Sequence, residues 1–125
     1  MGQYWKPVNL DKREFINPHK LGCGLKLWEQ IANPEVGRAL VVLLAVMPEP
    51  RGGGDLKSNP FIGRWAGDRV VLVGDYSRDE DMPDSPIPFG EVYAMTCEDA
   101  GGNASFTDIT DDVIEIIEAE LGDNK

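Results

Sequence analysis

The run Arg69-Val70-Val71-Leu72-Val73-Gly74 constrains the fold most. It is closed on both sides by a Gly-Asp pair, Gly67-Asp68 before it and Gly74-Asp75 after it. Glycine and aspartate break regular structure, so the segment is too short for a stable helix. Val70 to Val73 are apolar on both faces, the pattern of a buried, central strand. Such a strand needs partners, and the neighbouring sequence supplies none. Residues 48–60 ("PEPRGGGDLKSNP") and residues 78–88 are rich in proline, glycine and charge and read as loops. The partners are sought among the other segments that read as strands.

Three segments fit that role. Residues 3–8 ("QYWKPV") and 13–17 ("REFIN") are aromatic and β-branched, separated by the turn chemistry of Asn9 and Asp11, and read as a hairpin. Residues 91–98 ("EVYAMTCE") alternate, with Val92, Ala94 and Thr96 on one face, and read as a further strand. Leu25, Trp28 and Ile31 recur at helical spacing and predict a short helix with one buried face. Asn33-Pro34-Glu35 is a helix start signal, with Asn33 as N-cap. It favours a helix over residues 36–47, against the β-branched Val41, Val42 and Val46, since periodicity alone does not choose. The last helix begins at Thr110 as cap, with Asp111 and Asp112 in its first turn, and buries Val113, Ile114, Ile116, Ile117 and Leu121. The expected fold is a single α+β domain over residues 1–125. Its order is β-β-α-α-β-β-α, a mostly antiparallel sheet with helices packed on one face.

The charge is polarised. The net value is −10, yet residues 1–74 sum to +3 and residues 75–125 to −13. An acidic half repels nucleic-acid phosphates and attracts basic surfaces. Direct nucleic-acid binding is therefore not expected, and Lys6, Lys12, Arg13, Lys20 and Lys26 form no evident patch. No apolar run is long enough to span a bilayer, and the N-terminus has no signal-peptide core, so a cytoplasmic protein without a membrane partner is expected. Cys23 and Cys97 lack metal-ligand or disulfide spacing.

Two groups of residues merit a functional reading. Asp79, Glu80, Asp81, Asp84, Asp111, Asp112, Glu115 and Glu118 offer a docking face for a basic protein or a nucleic-acid-handling complex. Arg51, Asp55, Trp65, Asp68 and Asp75 offer the alternative, a small-ligand or metal-dependent site made by the Gly/Asp loops. The "RGGGD" loop could wrap an anion with its N–H groups, but no helix start follows it and it lacks the P-loop Lys-Ser/Thr. The acids match no calcium-loop pattern. Neither a catalytic residue nor a cofactor is expected, because His19 is the only histidine and Cys23 beside it sits in a glycine-rich segment.

The opening "MGQYWKPVNLDKREF", the "GGGD" loop, "GRWAGDRVVLVGDY" and the late "FTDIT" together resemble a group of uncharacterised small bacterial and phage proteins that begin MGQYY-x-PVN. Trp5 departs from that pattern, which has Tyr there. The resemblance covers most of the chain and implies no activity, cofactor or catalytic residue. With the small size and acidity, it implies a mobile-element protein, a class that includes inhibitors of host defence such as anti-CRISPR proteins. The leading expectation is thus a non-enzymatic acidic protein that docks on a basic partner.

Overall fold

The computed structural model describes residues 2–123, so Met1 of the opening block lies outside them. The elements run β1 (Trp5–Asn9), β2 (Glu14–Phe15), α1 (Leu27–Ala32), α2 (Glu35–Leu44), β3 (Val70–Gly74), α3 (Phe89–Met95), β4 (Thr107–Asp108) and α4 (Thr110–Asp123). Short 3₁₀ turns fall at Pro18–Leu21 and Asp79–Asp81. The four strands form one sheet in the order β3-β1-β2-β4. β1 is antiparallel to both β2 and β3, and β2 is parallel to β4. The α+β class and the mostly antiparallel sheet are as the sequence predicts.

The hairpin forms because Asn9 organises its turn. The Asn9 side-chain oxygen accepts the N–H groups of Asp11 and Lys12, and Arg13 takes up the left-handed conformation (φ 56°) that closes it. β1 then pairs along its whole length with β3, Trp5 opposite Gly74 and Asn9 opposite Val70.

Four expectations need correction. First, β3 is an edge strand, not a central one. Its apolar character comes from cover on both faces, not from two strand neighbours. Second, the helices are not on one face. Val8, Phe15 and Val73 pack with Phe89 and Val92 of α3, whereas Ile16 packs with Val42 of α2, Val113 of α4 and the half-buried Val70. Adjacent strand residues point to opposite faces, so α3 covers one side of the sheet and α2 with α4 the other. Third, residues 91–98 are not a strand. Phe89 and Val92, three apart, are buried, and Tyr93 is half-buried, which is a helical stripe that starts in the proline segment. The Asp79 carboxylate accepts the Gly90 N–H at 2.8 Å and so holds the first turn of α3. Fourth, α1 does not bury Trp28 and Ile31, which are 74% and 69% exposed. This six-residue helix docks instead through Gln30, whose amide donates to the Trp5 and Leu25 carbonyls.

The expected caps also shift by a residue or two. Asn33 closes α1, donating to the Glu29 carbonyl at 2.9 Å, and Pro34 stands at the start of α2. Thr110 is the first residue of α4 rather than its cap. Its hydroxyl accepts the Asn17 N–H, while the Asp108 carboxylate accepts both the Thr110 N–H and hydroxyl. Lys20 completes this corner at 2.9 Å from Asp108. Burial pushes the Asp108 carboxyl up, but Thr110 and Lys20 outweigh it and hold the group below its ordinary value.

The long connection after α2 is anchored at its far end. The Gly63 and Trp65 N–H groups donate to the Val42 and Leu43 carbonyls, both at 2.9 Å, and satisfy the last turn of α2. Gly63 has φ +74°, and a Cβ there would stand 2.5 Å from the Ala45 carbonyl oxygen. Gly63→Ala is therefore expected to destabilise the domain by about 1–3 kcal/mol, through backbone strain and loss of this anchor. Urea denaturation measures it, and an unchanged midpoint would mean that the loop anchor carries no stability.

Candidate functional site

The loop residues of the alternative site do not converge. The Asp55 carboxylate turns back on its own loop and accepts the N–H groups of Arg51 (2.7 Å) and Gly52 (3.0 Å). These bonds lower its carboxyl below the usual value, and they occupy two of the donors that an anion would need. Trp65 is fully buried and donates its indole N–H to Glu14 at 3.0 Å. Asp68 binds the Asn9 amide and the Lys12 ammonium, which lower its carboxyl. Asp75 accepts the Tyr4 N–H at the opposite end of β3. A five-residue strand separates these two aspartates by on the order of 15 Å or more. The paired Gly-Asp motifs are therefore strand ends, each tied to β1 or its flanks. Among the described residues, no three His, Cys, Asp or Glu side chains gather for a metal. His19 is exposed on a 3₁₀ turn, and the Cys23 thiol is buried against the Glu29 carbonyl at 3.6 Å. Burial pushes that thiol up, away from nucleophilic use.

The eight predicted docking acids divide between the two faces. Asp79, Glu80 and Asp81 form the turn beside α3, where Asp79 holds α3 and Asp81 accepts the Arg78 N–H at 2.9 Å. Asp84 is exposed on the same loop. Asp111, Asp112, Glu115 and Glu118 are exposed on α4, across the sheet. Only the second set forms a continuous face. Asp111, Glu115 and Glu118 follow one another at helical spacing, and α4 contains no lysine or arginine.

Beside that acidic face lies a feature that the sequence does not announce. An open groove of about 510 Å³ runs between α2 and α4, floored by Val41, Val42, Leu56, Ile116, Ile117 and Leu121. Val41 is 68% exposed and Leu121 45%. The groove shares Val41 and Leu56 with a second depression of about 450 Å³ that adds Val46, Met47 and Pro48. Glu115 and Glu118 line two further depressions, which meet the groove at Ile116 and at Leu121. Arg38 is the basic residue on its rim. Val41 and Leu121 point outward from helices whose other faces fill the core. That placement depends on tertiary packing, and an apolar-all-round segment hides it.

A second unannounced feature occupies the α3 face. Lys6 is 7% exposed. Its ammonium donates to the Thr96 carbonyl and hydroxyl, both at 3.2 Å, and sits 4.8 Å from the Tyr93 ring centre and 5.4 Å from that of Phe15. Desolvation lowers the Lys6 pKa, opposed by Cys97, Asp108 and Glu98. Burial also pushes the Tyr93 phenol up to about 12. The signal was present: Lys6 shares its strand face with Val8 and so had to enter the core.

These shifts set a pH dependence. Folded Lys6 binds fewer protons than unfolded Lys6 between its lowered value and the ordinary 10.5, so its contribution makes stability rise with pH through that window. Tyr93 acts oppositely from about pH 10 to 12, where only the unfolded phenol has ionised. Lys6→Met is expected to fold, to be at least as stable at pH 7 and to lose the rise below pH 10. Thermal denaturation across pH 6–10 measures it, and an unfolded Lys6→Met chain would mean that the charge itself is required.

Comparison with protein-family models, with curated proteins and with solved structures finds no match, so the functional reading rests on this chain's own geometry.

Proposed function

We propose that the protein is a non-enzymatic binding module that seats a basic, amphipathic helix of a partner protein in the α2/α4 groove. The observation that supports it is the juxtaposition of an exposed apolar trough with acids of α4: Glu120 lines the trough, Glu115 and Glu118 line the depressions that meet it, and Asp111 and Asp112 extend the acidic stripe to the start of the helix. A helix laid in a groove anchors through apolar residues at i, i+3, i+4 and i+7, and its basic flanks would meet the carboxylates. The apolar anchors supply affinity, and the charges supply approach rate and choice of partner. The acids at 79–84 belong to the other face and take no part in this contact. A nucleic-acid-handling complex is the partner class that small size and acidic charge suggest, since its phosphate-binding surface is basic. In that setting the α4 carboxylates stand in for phosphates. No helix among the described residues is long and apolar enough to cross a membrane.

The test uses a defined probe, a synthetic helical peptide with leucine on one face and lysine on the other. Binding is expected at low salt and is expected to weaken as salt rises. Val41→Asn and Leu121→Asn leave the net charge unchanged and should each weaken binding by about tenfold, from the loss of buried apolar area. Lysine at 111, 112, 115 and 118 should slow association most. Equal affinity for the wild type and the two asparagine variants would leave only charge attraction and would overturn the groove. A pull-down at two salt concentrations, repeated with Val41→Asn, then identifies the partner.

A further inference from the structure

The Gly67-Asp68 and Gly74-Asp75 pairs bracket a stretch of open sheet edge. β3 stands at the end of the sheet, with β1 as its strand neighbour. The Leu10 N–H donates to the Arg69 carbonyl and the Asp75 N–H to the Tyr4 carbonyl, so residues 69, 71, 73 and 75 turn their backbone groups toward β1. Val70, Leu72 and Gly74 turn theirs outward. Ser77 takes both outward groups of Gly74: its hydroxyl accepts the N–H at 2.9 Å, and its own N–H donates to the carbonyl at 3.1 Å. Among the described residues, the outward N–H and C=O groups of Val70 and of Leu72 have no protein partner. From this edge we propose that a second copy of the chain pairs with β3, antiparallel and across a two-fold axis, so that the two sheets become one.

The open groups select the register. In an antiparallel ladder a hydrogen-bonded residue exchanges both bonds with the residue opposite. A two-fold axis through Val71 sets Val70 against Leu72 of the second copy, and Leu72 against its Val70. Every open group is then used and none is left over. The same register sets Gly67 against Asp75 and Asp68 against Gly74. Each aspartate of the paired motifs meets a glycine of the other copy, and no two carboxylates stand opposed. Arg69, whose side chain is 53% exposed beside Asp11, comes diagonal to Asp75 of the second copy, within reach of a long side chain. The usual guards of an edge are missing: Val70 to Val73 hold no charge and no proline, and β3 pairs with β1 through all five residues without a bulge. Leu72 also lacks a core. Val71 and Val73 pack on the α3 side and Val70 on the α2/α4 side, whereas the half-buried Leu72 joins neither cluster. In the dimer it gains Val70 of the second copy as its cross-strand neighbour. A foreign strand would satisfy the same backbone groups but not the Gly-Asp match, which arises when the chain pairs with itself. The contact is short, so the dimer is weak and forms with rising concentration.

The experiment is sedimentation velocity on the whole protein from micromolar to millimolar concentration, with disulfide mapping as the second readout. The wild type is expected to shift from monomer to dimer mass. Leu72→Glu, with its fold checked by circular dichroism, should stay monomeric throughout, because it brings a carboxylate diagonal to Asp68 of the second copy and to its own counterpart. Val41→Asn, in the α2/α4 groove, should dimerise as the wild type does. In a Cys97→Ser background, which leaves the buried Cys23 as the native thiol, Val71→Cys is expected to form an intermolecular disulfide under mild oxidation. Its two thiols face each other across the axis on Cα atoms about 4.5 Å apart. Leu72→Cys should not bridge, since its thiols are diagonal. A wild type that is monomeric at millimolar concentration would overturn the proposal. So would a folded Leu72→Glu that dimerises like the wild type, or bridging at position 72 in place of 71. Loss of the dimer in Val41→Asn would assign it to the groove and overturn the edge contact.

Discussion

The carboxylate of Glu14 fixes the half of the molecule built from α2 and α4. It lies buried on β2 and accepts the Trp65 indole N–H at 3.0 Å, together with Arg64 Nε at 3.0 Å and Nη2 at 2.6 Å. A buried carboxylate is costly unless its oxygens are fully engaged. Here one tryptophan and one arginine, adjacent in sequence, engage both. Hydrogen bonding to Glu14 in turn raises the Arg64 pKa. The geometry forces the chain to bring residues 64 and 65 back across α2 to reach β2. Trp65 then fills the centre of the second core, against Ile16, Ala39, Leu43 and Val113. Burying a side chain of that size is worth several kcal/mol, on the order of 3–5 by the cost of its removal. Glu14→Ala would leave a buried indole donor and a half-buried guanidinium without their acceptor. The groove follows from the same knot. With the inner faces of α2 and α4 committed to Trp65, their outer ridges at Val41 and Leu121 remain apart and open.

Much of the scaffold was legible because local signals and tertiary packing agreed. The hairpin, β3, α2 and α4 each carry a turn, a breaker or a periodic stripe that the packing then uses. The failures have one physical form. Where a short segment satisfies two periods, the sequence does not say which the neighbours will select. Residues 91–95 alternate acceptably, but Phe89 in front of them turns the set into a helical stripe once Asp79 supplies an acceptor for the Gly90 N–H. Leu25, Trp28 and Ile31 have helical spacing, yet Leu25 precedes the helix and Gln30 makes the tertiary contact. Trp65 reads in the sequence as a residue of the Gly/Asp loop site. Its burial depends on Glu14, fifty-one residues away, and no window of sequence contains both.

The functional reading changed for a related reason. Charge summed along the chain places fifteen acids in residues 75–125, but the fold places them on two faces. Several are spent locally: Asp79 and Asp81 organise turns and Asp108 holds the start of α4. Net charge is thus a poor guide to a docking surface, because a carboxylate that accepts backbone N–H groups is held by its own loop and has fewer lone pairs left for a partner. Asp111 is itself 3.5 Å from the Lys20 ammonium, so what remains after that subtraction is Asp112, Glu115 and Glu118 on the outer stripe of α4. It gains a specific meaning only from the apolar groove beside it, since charge alone attracts any basic surface.

The two faces of the sheet are packed separately. The groove rests on α2 and α4, and the buried Lys6 lies between β1 and α3, with the sheet between them. The layers meet at Phe15, the last residue of β2, and Ile16 just after it, which pack into different layers. A packed sheet transmits little unless an element in it has two arrangements, and β1 is clamped by β3 along all five of its residues. The interaction energy between substitutions on the two faces should then be close to zero, as for distant positions without shared partners. The cost of covering both faces falls on β1, which must bury the Lys6 ammonium on the α3 side and satisfy it with the Thr96 carbonyl and hydroxyl.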